Sequence, residues 1–164
     1  MFEAGESNAY QYAGNNPLLM LDPLGLLTEV LTFDPVGYGK SSFGHTAINI
    51  NGTTYSFGES GWHIENTADF LKRNNFRNAV GQELNLTPAE EGLLVQIIRE
   101  DNRQNPQWTV EVSCVRKIRD VLEIATHRPY AIYPSASVIS PLDFRDNLVR
   151  FGYVSKTNNY PKAR

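Results

Sequence analysis

The sequence predicts an α+β domain: a small antiparallel sheet packed with about four helices and preceded by an irregular N-terminal arm. Three stretches carry that expectation. GHTAININGTTYSFG, residues 44–58, puts Thr46, Ile48 and Ile50 on one face, turns at Asn51 and Gly52, and continues with Tyr55 and Phe57, the pattern of a β-hairpin. Thr87, Pro88 and Glu90 form a capping box ahead of Leu93, Leu94, Ile97 and Ile98, which fall at helical spacing. Cys114 then opens a stretch in which Val115, Ile118, Val121, Leu122 and Ala125 repeat with helical period.

The remaining elements follow in order. LLTEVLTF, residues 26–33, reads as a strand, and residues 34–44 as a Gly and Ser loop. Thr67 starts a short helix to about Lys72. His63 falls in a loop, GWHIEN, and WTVEVS at 108–113 alternates as a strand, which places Cys114 at a strand-to-helix junction. PYAIYP, residues 129–134, is a further strand. Ser140, Pro141 and Asp143 open a last helix whose apolar side holds Leu142, Leu148 and Val149, and the tail after Tyr153 is polar and loose.

At 164 residues the chain suits one globular unit plus an appendage. Its formal charge is −3, and residues 1–26 contain Glu3, Glu6 and Asp22 with no Lys or Arg, so the remainder is neutral. A neutral body argues against binding a nucleic-acid backbone, which needs clustered cations, so no nucleic-acid partner is expected. A single cysteine, Cys114, can form neither an internal disulfide nor a multi-thiolate metal site. There is no signal peptide and no apolar run long enough to span a membrane, so export would need other machinery.

Residues 1–26 have turn chemistry at both ends of a short apolar stretch: Asn15, Asn16 and Pro17, then Asp22, Pro23 and Gly25. The string NAYQYAGNNPLLMLDPLGL resembles the end of an Rhs repeat core, with Tyr10, Tyr12, Asn16, Pro17, Asp22, Pro23, Gly25 and Leu26 in the family's pattern. The resemblance implies a boundary at residue 26, cleavage after Leu26, and an effector domain over residues 27–164. It also implies an enclosing Rhs shell, a cognate immunity protein as partner, a substrate in the target cell, and delivery into that cell by a contact-dependent secretion system.

A cysteine nucleophile works as its thiolate, which a helix N-terminus stabilises, and it needs an imidazole base held by a third polar group. Cys114 is therefore the candidate nucleophile, with Arg116 and Lys117 as nearby positive charge. His45, at the start of the hairpin after a Gly-rich loop, is the candidate base ahead of His63 and His127. Ser56 or Glu59 is the candidate orienting group. GHTAININGTTYSFG, SCVRKIRDVL and PLDFRDNL resemble in their order the circularly permuted papain-like families, the permuted NlpC/P60 and lecithin-retinol-acyltransferase-like proteins. The two resemblances together imply a secreted antibacterial or anti-host toxin domain acting as a cysteine-dependent hydrolase or acyltransferase, a protease, amidase, deamidase or lipid acyl-hydrolase, on a peptide or amide bond, a lipid ester or a peptidoglycan cross-link.

Ser113 stands where members often have Asn, and no obvious His or Asn fills the third position. The competing expectations are a non-enzymatic effector that binds a host protein or membrane, with Cys114 merely packed, and a metal-dependent hydrolase or nuclease using His45, His63 and carboxylates. Free cysteines are commonly buried, and a lone histidine commonly has a structural role. Glu90, Glu91, Glu100 and Asp101 read as capping and solvent-facing charges, since no His lies at ligand spacing; no metal and no cofactor are expected. Trp62 and Trp108 read as core or rim aromatics.

Overall fold

The computed structural model describes residues 27–37, 42–109, 113–130 and 140–164. Over these residues the chain is α+β. Its strands are β1 (Thr28–Phe33), β2 (His45–Ile50), β3 (Thr53–Gly58), β4 (Gly61–Asn66), β5 (Ala79–Leu84) and β6 (Val154–Tyr160). Its helices are α1 (Thr67–Arg73), α2 (Pro88–Arg103), α3 (Cys114–Thr126) and α4 (Pro141–Arg150). The strands form one sheet in the order β4-β3-β2-β1-β5-β6, and every neighbouring pair is antiparallel.

Strand alternation divides the apolar residues between two faces. Val30, Ile48, Ile50, Tyr55, Phe57 and Leu84 join Leu94 and Ile98 of α2, Val115, Ile118 and Leu122 of α3, and Phe144 and Leu148 of α4 in the larger core. The opposite face is smaller: Leu31, Phe33, Ala47 and Ala79 pack with Phe70 of α1. All six residues of β1 are buried because that strand lies inside the sheet, between β2 and β5. Burying each large apolar side chain of this core stabilises the fold by about 1.5–3 kcal/mol before conformational entropy is counted.

The helices begin where the sequence signals them. Thr87 Oγ1 accepts from the Glu90 N–H and the Glu90 carboxylate accepts from the Thr87 N–H, completing the capping box. Ser113 caps α3, and Ser140 caps α4. Asn66 caps α1 by accepting from the Ala68 N–H at 2.9 Å. At the far end of α3, His127 sits in the left-handed region with φ 53°, and its N–H donates to the Glu123 carbonyl at 2.9 Å.

Several elements differ from the sequence reading. GWHIEN is not a loop: it is β4, an edge strand paired with β3 from Gly58↔Gly61 to Thr53↔Asn66. The tail is not loose either. Val154–Tyr160 adds β6 to the outer edge of β5 and exposes most of its polar side chains, as an edge strand can. Trp108 and Thr109 are irregular, and the rest of the expected WTVEVS strand at 110–112 lies outside the described residues. So do most of PYAIYP, at 131–134, and the whole arm, including Leu26. Glu91 faces inward rather than to solvent; it is buried and accepts from Thr28 Oγ1 at 2.6 Å and Asn51 Nδ2 at 3.1 Å.

The α1 face also holds a buried carboxylate. Glu29, on β1, accepts from Asn49 Nδ2 (3.2 Å), Asn158 Nδ2 (2.9 Å) and Tyr160 Oη (2.9 Å). Gly81 makes room for it, because a Cβ there would lie 1.8 Å from Glu29 Oε1. A buried charge held by several donors costs far less than a bare one.

Candidate active site

The entry into β2 is set by Gly44. Its φ is +94°, and a Cβ at this position would lie 2.7 Å from the Phe33 carbonyl oxygen. Only glycine meets both conditions without strain. His45 follows directly, opposite Phe33 of β1, with the two rings 6.4 Å apart.

His45 Nε2 and Ser56 Oγ share a hydrogen bond of 2.7 Å. Ser56, on β3, pairs with Ala47, so its side chain lies on the same face as His45 and one step along. Of the two candidate orienting groups, Ser56 is thus the one in contact with the ring. Glu59 lies in the exposed turn between β3 and β4.

Cys114 is the first residue of α3 and is 9% exposed. Burial pushes its thiol above the ordinary range. Backbone N–H groups of Thr46, Val115 and Cys114 itself act against that rise, and so does the Arg77 guanidinium. The sulfur therefore sits against the amide of the residue that follows His45. Pairing between β2 and β3 runs from Ile50↔Thr53 to Ala47↔Ser56 and stops there, so α3 meets β2 just where its partner strand departs.

His45 and Cys114 approach this point from opposite sides. Alternation places the imidazole on the α1 face with Phe33 and Ser56, whereas Cys114 belongs to the core packed by α2, α3 and α4. The side-chain hydrogen bond of His45 goes to Ser56, not to the thiol. Burial, then the charges of Arg77 and Arg73, lower the His45 pKa to about 4, so the ring is neutral at physiological pH. Thiol and imidazole rest as a neutral pair.

Positive charge near the sulfur comes from a residue that the sequence did not single out. Lys117 is occupied by Asp101, with its Nζ 2.7 Å from Oδ1. Arg116 lies 4.0 Å from Asp120. Arg77, in the segment between α1 and β5, is instead buried, and its charge acts on both His45 and Cys114. Its Nη2 donates to Asn74 Oδ1 at 2.9 Å, and its guanidinium lies over the Phe33 ring at 5.0 Å. No periodic pattern in NNFRNAV marks that arginine as inward; its burial depends on a sheet face assembled from distant residues.

A cleft of about 280 Å³ opens on this face, lined by His45, Ser56, His63, Arg73, Asn74 and Arg77 among others. His63 is exposed on β4 and its Nε2 lies 3.1 Å from Glu65 Oε1; Glu65 also pairs with Arg73. His127 is exposed at the end of α3, away from the cleft residues. Trp62 Nε1 donates to Asp101 Oδ2 at 2.6 Å, and its ring packs edge-on against Phe57 at 5.4 Å. Among the described residues, no three His, Cys, Asp or Glu side chains gather closely enough to hold a metal ion. Nor is any helix among them long and apolar enough to cross a membrane.

The class these features define is an α+β domain on a six-stranded antiparallel sheet, with a cysteine at a helix start and a histidine at a strand start. Compared with known protein families, curated proteins and solved structures, the chain matches none.

Proposed function

We propose that the chain carries the effector tip of an Rhs-type polymorphic toxin, and that residues 27–164 act as a permuted papain-like thiol hydrolase or acyltransferase. The observation that carries this reading is the junction at Thr46. The sulfur of Cys114 rests on the Thr46 amide, and the residue before it, His45, is held through Nε2 by Ser56 at 2.7 Å. With Nε2–H donating to Ser56, Nδ1 bears the lone pair, and in this mechanism it takes the thiol proton once the Cys114 side chain turns past the Thr46 junction toward the α1 face.

The sulfur then bonds to the substrate's carbonyl carbon as the carbonyl π pair moves onto oxygen. N–H groups at the start of α3 stabilise that oxyanion. The pair returns, the leaving group departs with the proton from the imidazolium, and a thioester remains. Water resolves it to an acid, or a second nucleophile to a transfer product. Because both groups rest neutral, proton transfer accompanies attack instead of preceding it as a stored ion pair. An amide or peptide bond, a lipid ester and a peptidoglycan cross-link all fit this chemistry. Cleavage after Leu26 and neutralisation by a cognate immunity protein belong to the same proposal.

Expression of the chain in a bacterium lacking the immunity protein tests it. Growth should slow, and Cys114→Ala and His45→Ala should each restore it while the far-ultraviolet spectrum stays native. Full toxicity of a folded Cys114→Ala chain would overturn the thiol mechanism. Iodoacetamide gives a second measurement: the native thiol should react slowly at neutral pH and faster only as pH rises beyond the ordinary thiol range.

A second reading draws on the burial of Cys114: a non-enzymatic effector in which the thiol is only packed. Labelling of the cysteine solely after denaturation would favour that reading.

A further inference from the structure

Arg77 is 7% exposed, and two of its nitrogens, Nε and Nη1, have no hydrogen-bond partner among the described residues. Such an arrangement is costly, because a buried donor on a charged group loses its hydration without recovering a bond. Asn74 satisfies one nitrogen, Nη2, and the Phe33 ring covers one face of the guanidinium. Among the described residues, Arg77 forms no salt bridge. The neighbouring Arg73 differs: Glu65 pairs with it, and its guanidinium rests over Phe70. Asp34 acts on the Arg77 charge without forming an ion pair with it, and among the described residues lining the cleft there is no carboxylate.

We propose that the cleft lined by His45, Ser56, Asn74 and Arg77 seats a monoanionic carboxylate of the substrate, with Arg77 as its counter-ion. A single unbalanced cation favours a single negative charge, since a phosphate dianion would leave an excess charge in a poorly hydrated site. Hydrogen bonds from a guanidinium to a carboxylate are charge-assisted and are the strong kind. The volume, about 280 Å³, accommodates a carboxylate and a few carbons beside the imidazole. Identifying that carboxylate as part of the acyl substrate rests on the thiol reading above. It narrows the substrate to an acyl donor bearing an acid, such as a peptide with an acidic side chain or a free C-terminus near the attacked carbonyl. Arg77 is in this sense a specificity residue.

Binding can be measured without turnover, so the outcome is separable from that of the thiol mechanism. The full chain is titrated with acetate and, separately, with inorganic phosphate at constant ionic strength in chloride, following the His45 imidazole resonances by NMR. Acetate should produce a saturable shift, and Arg77→Gln should weaken its apparent affinity tenfold or more, with Arg77→Lys intermediate. Saturation in wild-type protein is readable even if the glutamine variant fails to fold. The proposal is overturned if acetate gives only a linear, salt-like drift, if phosphate saturates and acetate does not, or if a folded Arg77→Gln chain binds acetate as wild type does. Loss of growth inhibition in Cys114→Ala bears on the thiol alone, and the acetate titration bears on the cleft alone.

Discussion

Replacing His45 by glutamine should remove a defined part of the protein's acid sensitivity. The imidazole has a pKa of about 4 in the fold against 6.5 for the free side chain. Burial is the main cause, with the Arg77 and Arg73 charges adding to it. The unfolded chain thus takes up the proton before the folded one does. Stability from this group is complete above pH 6.5 and is lost as pH falls toward 4. At about 1.36 kcal/mol per pH unit, the whole effect is about 3 kcal/mol, and about 2.5 kcal/mol of it is gone by about pH 4.5.

Glutamine cannot charge, yet it can still bond Ser56. Urea unfolding of wild type and His45→Gln at about pH 7.5 and about pH 4.5 isolates the difference, since carboxylates titrating in that window are common to both chains. Wild type should lose about 2.5 kcal/mol more than the variant, equivalent to roughly 5–10 °C in Tm for a chain of this size. Equal losses would refute the placement of His45 as a neutral, desolvated ring beside two arginines.

Two further substitutions probe the scaffold around the site. Gly44→Ala adds a Cβ 2.7 Å from the Phe33 carbonyl at a φ of +94°, and should cost about 2–4 kcal/mol, a Tm fall on the order of 10 °C by calorimetry. It should also impair any activity that depends on His45; unchanged Tm would show that the turn is looser than described. Tyr160→Phe removes one of the donors to the buried Glu29 carboxylate and should destabilise the fold by about 1.5–3 kcal/mol in urea titration; an unchanged midpoint would show that the bond contributes nothing.

Local signals made much of this fold legible. The hairpin of β2 and β3, the capping box at α2 and the starts of α3 and α4 each rest on residues a few positions apart, and these placed His45, Ser56 and Cys114 on the elements they occupy. What escaped notice depends on distant partners. VSKTNNY is an edge strand whose polar side chains meet solvent, so it lacks the apolar alternation that marks a half-buried strand, and GWHIEN alternates only over Trp62 and Ile64, too short a run to stand out from a loop. β5 contains Gly81, which weakens a strand signal but is needed where Glu29 crowds the face. Arg77 and Glu29 are buried by contacts up to 131 positions apart along the chain, and no window of sequence reveals them. The cleft between the arginines escaped for the same reason.

The bond from Tyr160 to Glu29 ties the interior of the sheet to the end of the described chain, with consequences for the order in which the protein can assemble. Hairpins β2–β3 and β3–β4 close over short loops and can form as soon as their residues are available. Glu29 sits in the central strand from the outset, yet two of its donors, Asn158 and Tyr160, arrive only with β6. A chain emerging N-terminus first from a ribosome or a narrow conduit would hold that carboxylate half-solvated until β6 came through. Completion of the sheet beside β5 is therefore timed to the arrival of β6.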